Sequence, residues 1–273
     1  MISESLTVEL KERSAELLAD LEAPPSWLDD VVADYNGRAQ GAASGDPVTG
    51  NPLLVRVVLD RVNLQPVTVP AIRRLVGYYR DLPEFSERAW RDRRGRILGG
   101  DLASFHSTLV EIALHDGLSR LRRGTVRFID PQPGGPRLPD LEIATAGGPI
   151  HVELKSIFSE YVRMQGGAGT QLGGMTVDPK IARAIWRKFQ EPVQRGQLRD
   201  DRQSLVFVDI SFCDELFMFQ SLAAAMPALR PHAHRLLDSF GSSAPQTAPG
   251  HAGLMVCGFD TSSYNLAFVQ QVS

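Results

Sequence analysis

Residues 140 to 157 read DLEIATAGGPIHVELKSI, two runs in which charged and apolar residues alternate on either side of Gly147 and Gly148. Alternation with period two marks a half-buried β-strand, and a Gly-Gly between two such runs marks a hairpin. With both glycines at the turn, Asp140 is expected opposite Lys155 and Glu142 opposite Glu153. Side chains two apart share a face, so one face collects Asp140, Glu142, His151, Glu153 and Lys155. The other face offers Leu141, Ile143, Ile150, Val152 and Leu154 to a core. Like charges directly opposite each other destabilise a sheet, so stability alone does not call for three acids there. A divalent cation removes that cost. Mg²⁺ takes carboxylate and carbonyl oxygens and keeps several waters, so two acids and a backbone carbonyl suffice as protein ligands.

The segments around this hairpin follow a definite order. DLASFHSTLVEIALHDGLSRLRRG, from Asp101 to Gly124, has the pattern of a long amphipathic helix, and TVRFID then reads as a short strand stopped by Pro131. After the hairpin comes a glycine-rich stretch from 164 to 177, which lacks the lysine of a phosphate-binding loop and reads as a flap beside the site. The helix DPKIARAIWRKFQ follows, with a disturbance expected at Pro192. QSLVFVDISF is an apolar run of the buried-strand type. A helical stretch around 216 to 238, a Ser/Pro/Gly loop and a final strand, HAGLMVCGFD, complete the pattern.

Pro139-Asp140, a spacer, then Glu153-Leu154-Lys155 resembles the PD-(D/E)xK nuclease superfamily, whose core is a helix, three strands, a helix and a further strand. The resemblance implies an α/β fold of the restriction-endonuclease-like class over roughly residues 101 to 260, within a nuclease-like domain at 99–273. It implies that Asp140 and Glu153 bind Mg²⁺ or Mn²⁺ and that Lys155 positions or activates the attacking water. Glu111 stands where the preceding helix of that family often supplies another acid. The expected activity is metal-dependent endonuclease hydrolysis of phosphodiester bonds, in DNA rather than RNA, in restriction, repair or defence. A non-catalytic nucleic-acid-binding or assembly module on the same fold is the alternative, as is an unrelated hydrolase of small phosphate esters.

Residues 1–98 are expected to form a separate helical region. Leu6, Leu10, Ala15, Leu17, Leu18 and Leu21 fall near one helical stripe behind a Ser3 or Ser5 cap, and Pro24 and Pro25 end it. A second helix starts near Ser26, and two more, LLVRVVLDRV and VPAIRRLVGYYRDL, flank NLQPVT. Two helices joined by a turn read as packed helices before they read as a DNA-recognition motif. The region is expected to recognise a target, to form a homodimer, or to dock an accessory protein.

Charge sharpens the expectation of a nucleic-acid partner. Residues 1 to 50 hold ten acids against Lys11, Arg13 and Arg38, which leaves 26 of the 29 basic residues and 22 of the 32 acids to the rest of the chain. Arginines cluster at 88–96, at 120–127 and at Arg183, Arg187 and Lys188, and such clusters suit phosphates. Cys213 and Cys257 are too few for a disulfide framework and read as reduced core residues. The amino terminus carries glutamates where a signal peptide carries basic residues, and no apolar run approaches membrane-spanning length, so the expected location is cytoplasmic with no membrane partner. His151 is a candidate to bond Glu153 or touch phosphate, Glu142 a candidate third ligand, and His115 a surface histidine near Glu111. No GxSxG elbow supports a hydrolase triad.

Overall fold

The computed structural model describes residues 1–41, 50–61, 68–121, 125–129, 138–157, 179–201, 203–211, 252–260 and 263–271. The expected glycine-rich flap, the helical stretch at 216 to 238, the Ser/Pro/Gly loop after it, and Cys213 lie outside them. Among the described residues the chain is an α/β protein: six helices, then a six-stranded mixed sheet with a further helix. Two compact units divide it, Met1–Ile112 with Thr261–Tyr264 and Ala113–Asp260 with Asn265–Ser273. Among the described residues no helix is long and apolar enough to cross a membrane.

The first unit contains α1 (Glu4–Asp20), α2 (Trp27–Gly41), α3 (Pro52–Arg61), α4 (Thr68–Arg80) and α5 (Glu87–Gly99). Ser3 caps α1 through its hydroxyl to the Leu6 amide, and Ser86 caps α5 in the same way to Ala89. Leu10, Leu17, Leu28, Leu53, Ile72, Leu75, Tyr79 and Trp90 make up its core. α3 and α4 pack on each other and on α1, and the exposed arginines of α4 are paired, Arg73 with Glu16 and Asp20, and Arg80 with Glu22. α3 and α4 are therefore packed helices.

α6 (Leu102–Leu121) begins in the first unit and continues into the second. The sequence pattern suggests an amphipathic helix, but almost every residue from Phe105 to Leu118 is buried or half-buried, which is the state of an interior helix. Asp101 starts it by accepting the Ser104 amide on Oδ1 at 2.7 Å.

The sheet runs β1 (Val126–Phe128), β2 (Leu141–Thr145), β3 (Gly148–Ser156), β4 (Ser204–Asp209), β5 (Gly253–Phe259) and β6 (Leu266–Gln271), in that spatial order. The first three strands are antiparallel, β3 to β5 are parallel, and β6 returns antiparallel. β6 was not expected from the sequence. The sheet curls, so that α6 meets both edges: His115 stacks on Phe128 of β1 at 4.4 Å between ring centroids, and Gly117 abuts Leu266 of β6. His115 is thus buried, contrary to the surface placement expected for it.

The hairpin forms as anticipated, in a different register. Thr145 pairs with Gly148 and Glu142 with His151, so the turn is Ala146-Gly147 and the pairing is two residues from the expected one. Gly148 explains the difference: its φ of +108° belongs to a glycine at the first strand position, not to a turn centre shared with Gly147. A slip of two preserves the face of every side chain, whereas a slip of one inverts them all. The acidic face therefore survives.

α7 (Pro179–Gln194) covers that face over β3 to β5, with Ala184, Ile185 and Phe189 packed in one cluster with Ile157, Val206, Val208, Leu254 and Val256. Pro192 does not end the helix, which runs two residues further.

Candidate functional site

Glu153 lies in the middle of β3, and its register partner on β4 is Val206, one of the residues under α7. A carboxylate that would stand half-exposed on an isolated hairpin is consequently only 1% exposed. Continuing the β2–β3 register by one residue sets Asp140 opposite it. Asp140 is tied to the same strand: the Leu154 amide donates to its Oδ2 at 2.8 Å, while the Ile129 amide donates to its backbone oxygen at 3.0 Å. Lys155, two residues beyond Glu153 and on the same face, donates from Nζ to Glu153 Oε1 and keeps 20% of its side chain exposed. Asp140, Glu153 and Lys155 are brought together.

Two further side chains enter this cluster. Gln197 donates from Nε2 to Glu153 Oε1 at 3.0 Å. Glu191 of α7 accepts from Arg195 Nη1 at 2.6 Å and lies 3.5 Å from Lys188 Nζ. Burial pushes the Glu191 carboxyl up, but the Lys188, Arg195 and Lys155 cations outweigh it and hold it below its ordinary value. Neither residue stands out by spacing, because each reaches the site through a helix that is remote in sequence from the hairpin.

The remaining expected residues are placed as follows. Glu142 is engaged by Arg127, whose Nε donates to its Oε1 at 3.0 Å, and His151 Nε2 lies 3.8 Å from Glu142 Oε2. His151 thus neighbours Glu142, one step along the face from the expected Glu153. Arg183 and Arg187 are exposed one turn apart on α7, whereas Lys188 is half-buried and directed to Glu191. The arginines at 88–96 form part of α5 in the first unit: Arg94 pairs with Glu22, Arg96 with Asp92, and the buried Arg93 with Glu111. Arg88 and Arg91 of the same helix are exposed. Glu111 has Arg93 as its cation. Cys257 is a free, buried thiol, and burial together with Asp209 pushes it up, which disfavours the thiolate.

Among the described residues no group of three or more His, Cys, Asp or Glu side chains is arranged to hold a metal ion. The donor set at Asp140 and Glu153 is nonetheless two hard carboxylates beside an amide side chain, the chemistry that Mg²⁺ accepts with water completing its shell. Comparison with protein-family models, with curated proteins and with solved structures returns no match.

Proposed function

We propose that this protein is a metal-dependent nuclease of the PD-(D/E)xK type that hydrolyses phosphodiester bonds, in DNA in preference to RNA. The observation that carries the reading is Glu153, an acid buried in the sheet with Lys155 on the same strand face and Asp140 bound to the same strand. Burying a carboxylate is unfavourable unless it is paired, and such groups concentrate where chemistry needs them. The element order of α6, three antiparallel strands, α7 and a parallel strand agrees with the restriction-endonuclease-like core.

Asp140 and Glu153 would hold Mg²⁺ or Mn²⁺, which when bound lowers the pKa of water and offsets charge on phosphate. Asp140 is held for this by the Leu154 amide, and Glu153 by Lys155 and Gln197. Lys155, paired with Glu153 but partly exposed, would turn to donate to the attacking water or to a phosphate oxygen, where a donor placed for the transition state is most effective. Arg183 and Arg187, exposed on α7, contact the nucleic-acid backbone.

The test is incubation of the pure protein with single-stranded, double-stranded and structured DNA and RNA in Mg²⁺ or Mn²⁺. Cleavage of DNA that chelation abolishes is the expected result. Intact substrates under every condition would overturn the proposal.

A further inference from the structure

α7 ends in a way that determines where Gln197 goes. Gly196 has φ +70°, the left-handed conformation that closes a helix. Its amide donates to Val193 O at 3.0 Å, and the Gln197 amide donates to Pro192 O at 2.8 Å. That pair of bonds is the Schellman closure, in which the residue after the glycine normally makes an apolar contact back to the last turn. Leu198 supplies the apolar group one position later, buried in the cluster under α7. Gln197 itself turns instead to the acidic face and reaches Glu153.

Two local rules are broken there together. A polar residue occupies the position a Schellman closure favours for an apolar one, and the Gln197 amide oxygen is buried with no hydrogen-bond partner among the described residues. Exchanging the amide nitrogen and oxygen does not relieve this, because it would set two acceptor oxygens against each other at 3.0 Å. Departures from local consistency of this kind collect at functional sites.

We infer that Gln197 is a positioning residue for Glu153, an inference that rests on the nuclease reading above. Glu153 Oε1 takes two donors, Lys155 Nζ and Gln197 Nε2. When Lys155 turns to the water or phosphate, Gln197 remains and keeps the carboxylate in its plane for the cation. The amide does not touch the reacting atoms; it acts through Glu153. Partners of this kind behind a metal ligand typically contribute about ten- to a hundredfold in metal affinity.

The experiment is calorimetric titration of the full chain with Mn²⁺ alone, for the unaltered protein, Gln197→Met and Gln197→Leu, beside thermal melting of each metal-free protein. Two variants are used so that a failure of one to fold leaves the other. Mn²⁺ binding weakened about ten- to a hundredfold with melting unchanged is expected, and cleavage by the variants should recover as Mn²⁺ is raised. Unchanged Mn²⁺ affinity overturns the role of Gln197 while the nuclease reading stands. Affinity lost only in step with the melting transition overturns it too, as a purely structural effect. If the unaltered protein neither binds Mn²⁺ nor cuts any nucleic acid, the failure belongs to the nuclease reading itself.

Discussion

The two units treat buried charge differently. In the helical unit the acids of α1 and its following turn meet arginines of α3, α4 and α5: Glu9 with Arg61, Glu16 and Asp20 with Arg73, Glu22 with Arg80 and Arg94. These pairs are substantially exposed and individually contribute little. The deep pair there is Arg93 with Glu111, side chains 5% and 13% exposed, with Arg93 also donating to the Tyr79 hydroxyl at 3.0 Å. In the sheet unit Asp116, Asp209 and Glu153 are buried acids, and the cation of Glu153 is a lysine that can reach solvent. An arginine fork locked on both sides is a structural tie. An acid sunk in a sheet beside a partly exposed lysine is the pairing on which the proposed chemistry rests.

The largest effect should come from breaking the structural tie. Arg93→Met leaves Glu111 buried without its guanidinium, a change that typically costs about 3–5 kcal/mol. Glu153→Met removes the buried acid and lets Lys155 extend into water but leaves the Gln197 amide without its acceptor, so its expected cost is about 1–3 kcal/mol, the smaller of the two. Urea unfolding of the two variants decides it. Equal losses would erase the distinction between the units.

Next in size is the effect of Lys155→Met on chemistry. Losing about 3 kcal/mol of transition-state interaction slows cleavage roughly a hundredfold, while affinity for nucleic acid stays within a few-fold because many other cations bind the backbone. Glu153→Ala should also stop cleavage, with partial rescue by excess Mn²⁺ that the lysine variant does not show. A Lys155→Met protein that cuts at the original rate would remove the sheet unit from the chemistry.

How much of this was legible in the sequence follows from which signals are local. The hairpin face was readable because period-two alternation assigns faces by parity, so the two-residue difference between the expected and observed turn left Asp140, Glu153 and Lys155 together. The register was not readable, since which glycine takes φ > 0 depends on the strands it joins. Gln197 and Glu191 were missed because their approach to β3 is set by how α7 packs and closes. The ion pairs of Arg93 and Arg94 were not readable for the same reason: their partners Glu111 and Glu22 are distant in sequence. β6 was overlooked because its pairing with β5, which includes an irregularity at Gly258/Phe259, is what makes LAFVQQ a strand.

A smaller effect is expected on the exposed face of α7. Replacing Arg183 and Arg187 by alanine removes up to two phosphate contacts, which lowers the slope of log affinity against log salt by about 1.8 for duplex DNA. Arg88→Ala with Arg91→Ala, two exposed arginines of the helical unit, should change it less. Fluorescence anisotropy with labelled duplex between low and moderate salt measures both. The reverse ranking would move the nucleic-acid surface to the helical unit.

The smallest effect tests whether charge in the helical unit is structural even at its margin. Asp101 opens α6 with its carboxylate on the Ser104 amide, and that amide, joined by the Ser104 hydroxyl, holds the carboxyl below its ordinary value. A depressed folded pKa means stabilisation that is present above the unfolded value of about 3.9 and lost as pH falls through the folded one. Asp101→Ala should therefore cost about 1 kcal/mol at neutral pH, the usual worth of a helix cap. The gap between the unaltered protein and this variant should narrow as the pH is taken down through the carboxylate range. Asp101→Asn should cost less, because asparagine caps as well, and its stability relative to the alanine variant should not narrow with acid on account of this position. Urea midpoints at neutral and acid pH measure all three. If the gap between the unaltered protein and Asp101→Ala stays constant across that range, the ionised carboxylate contributes nothing to opening α6.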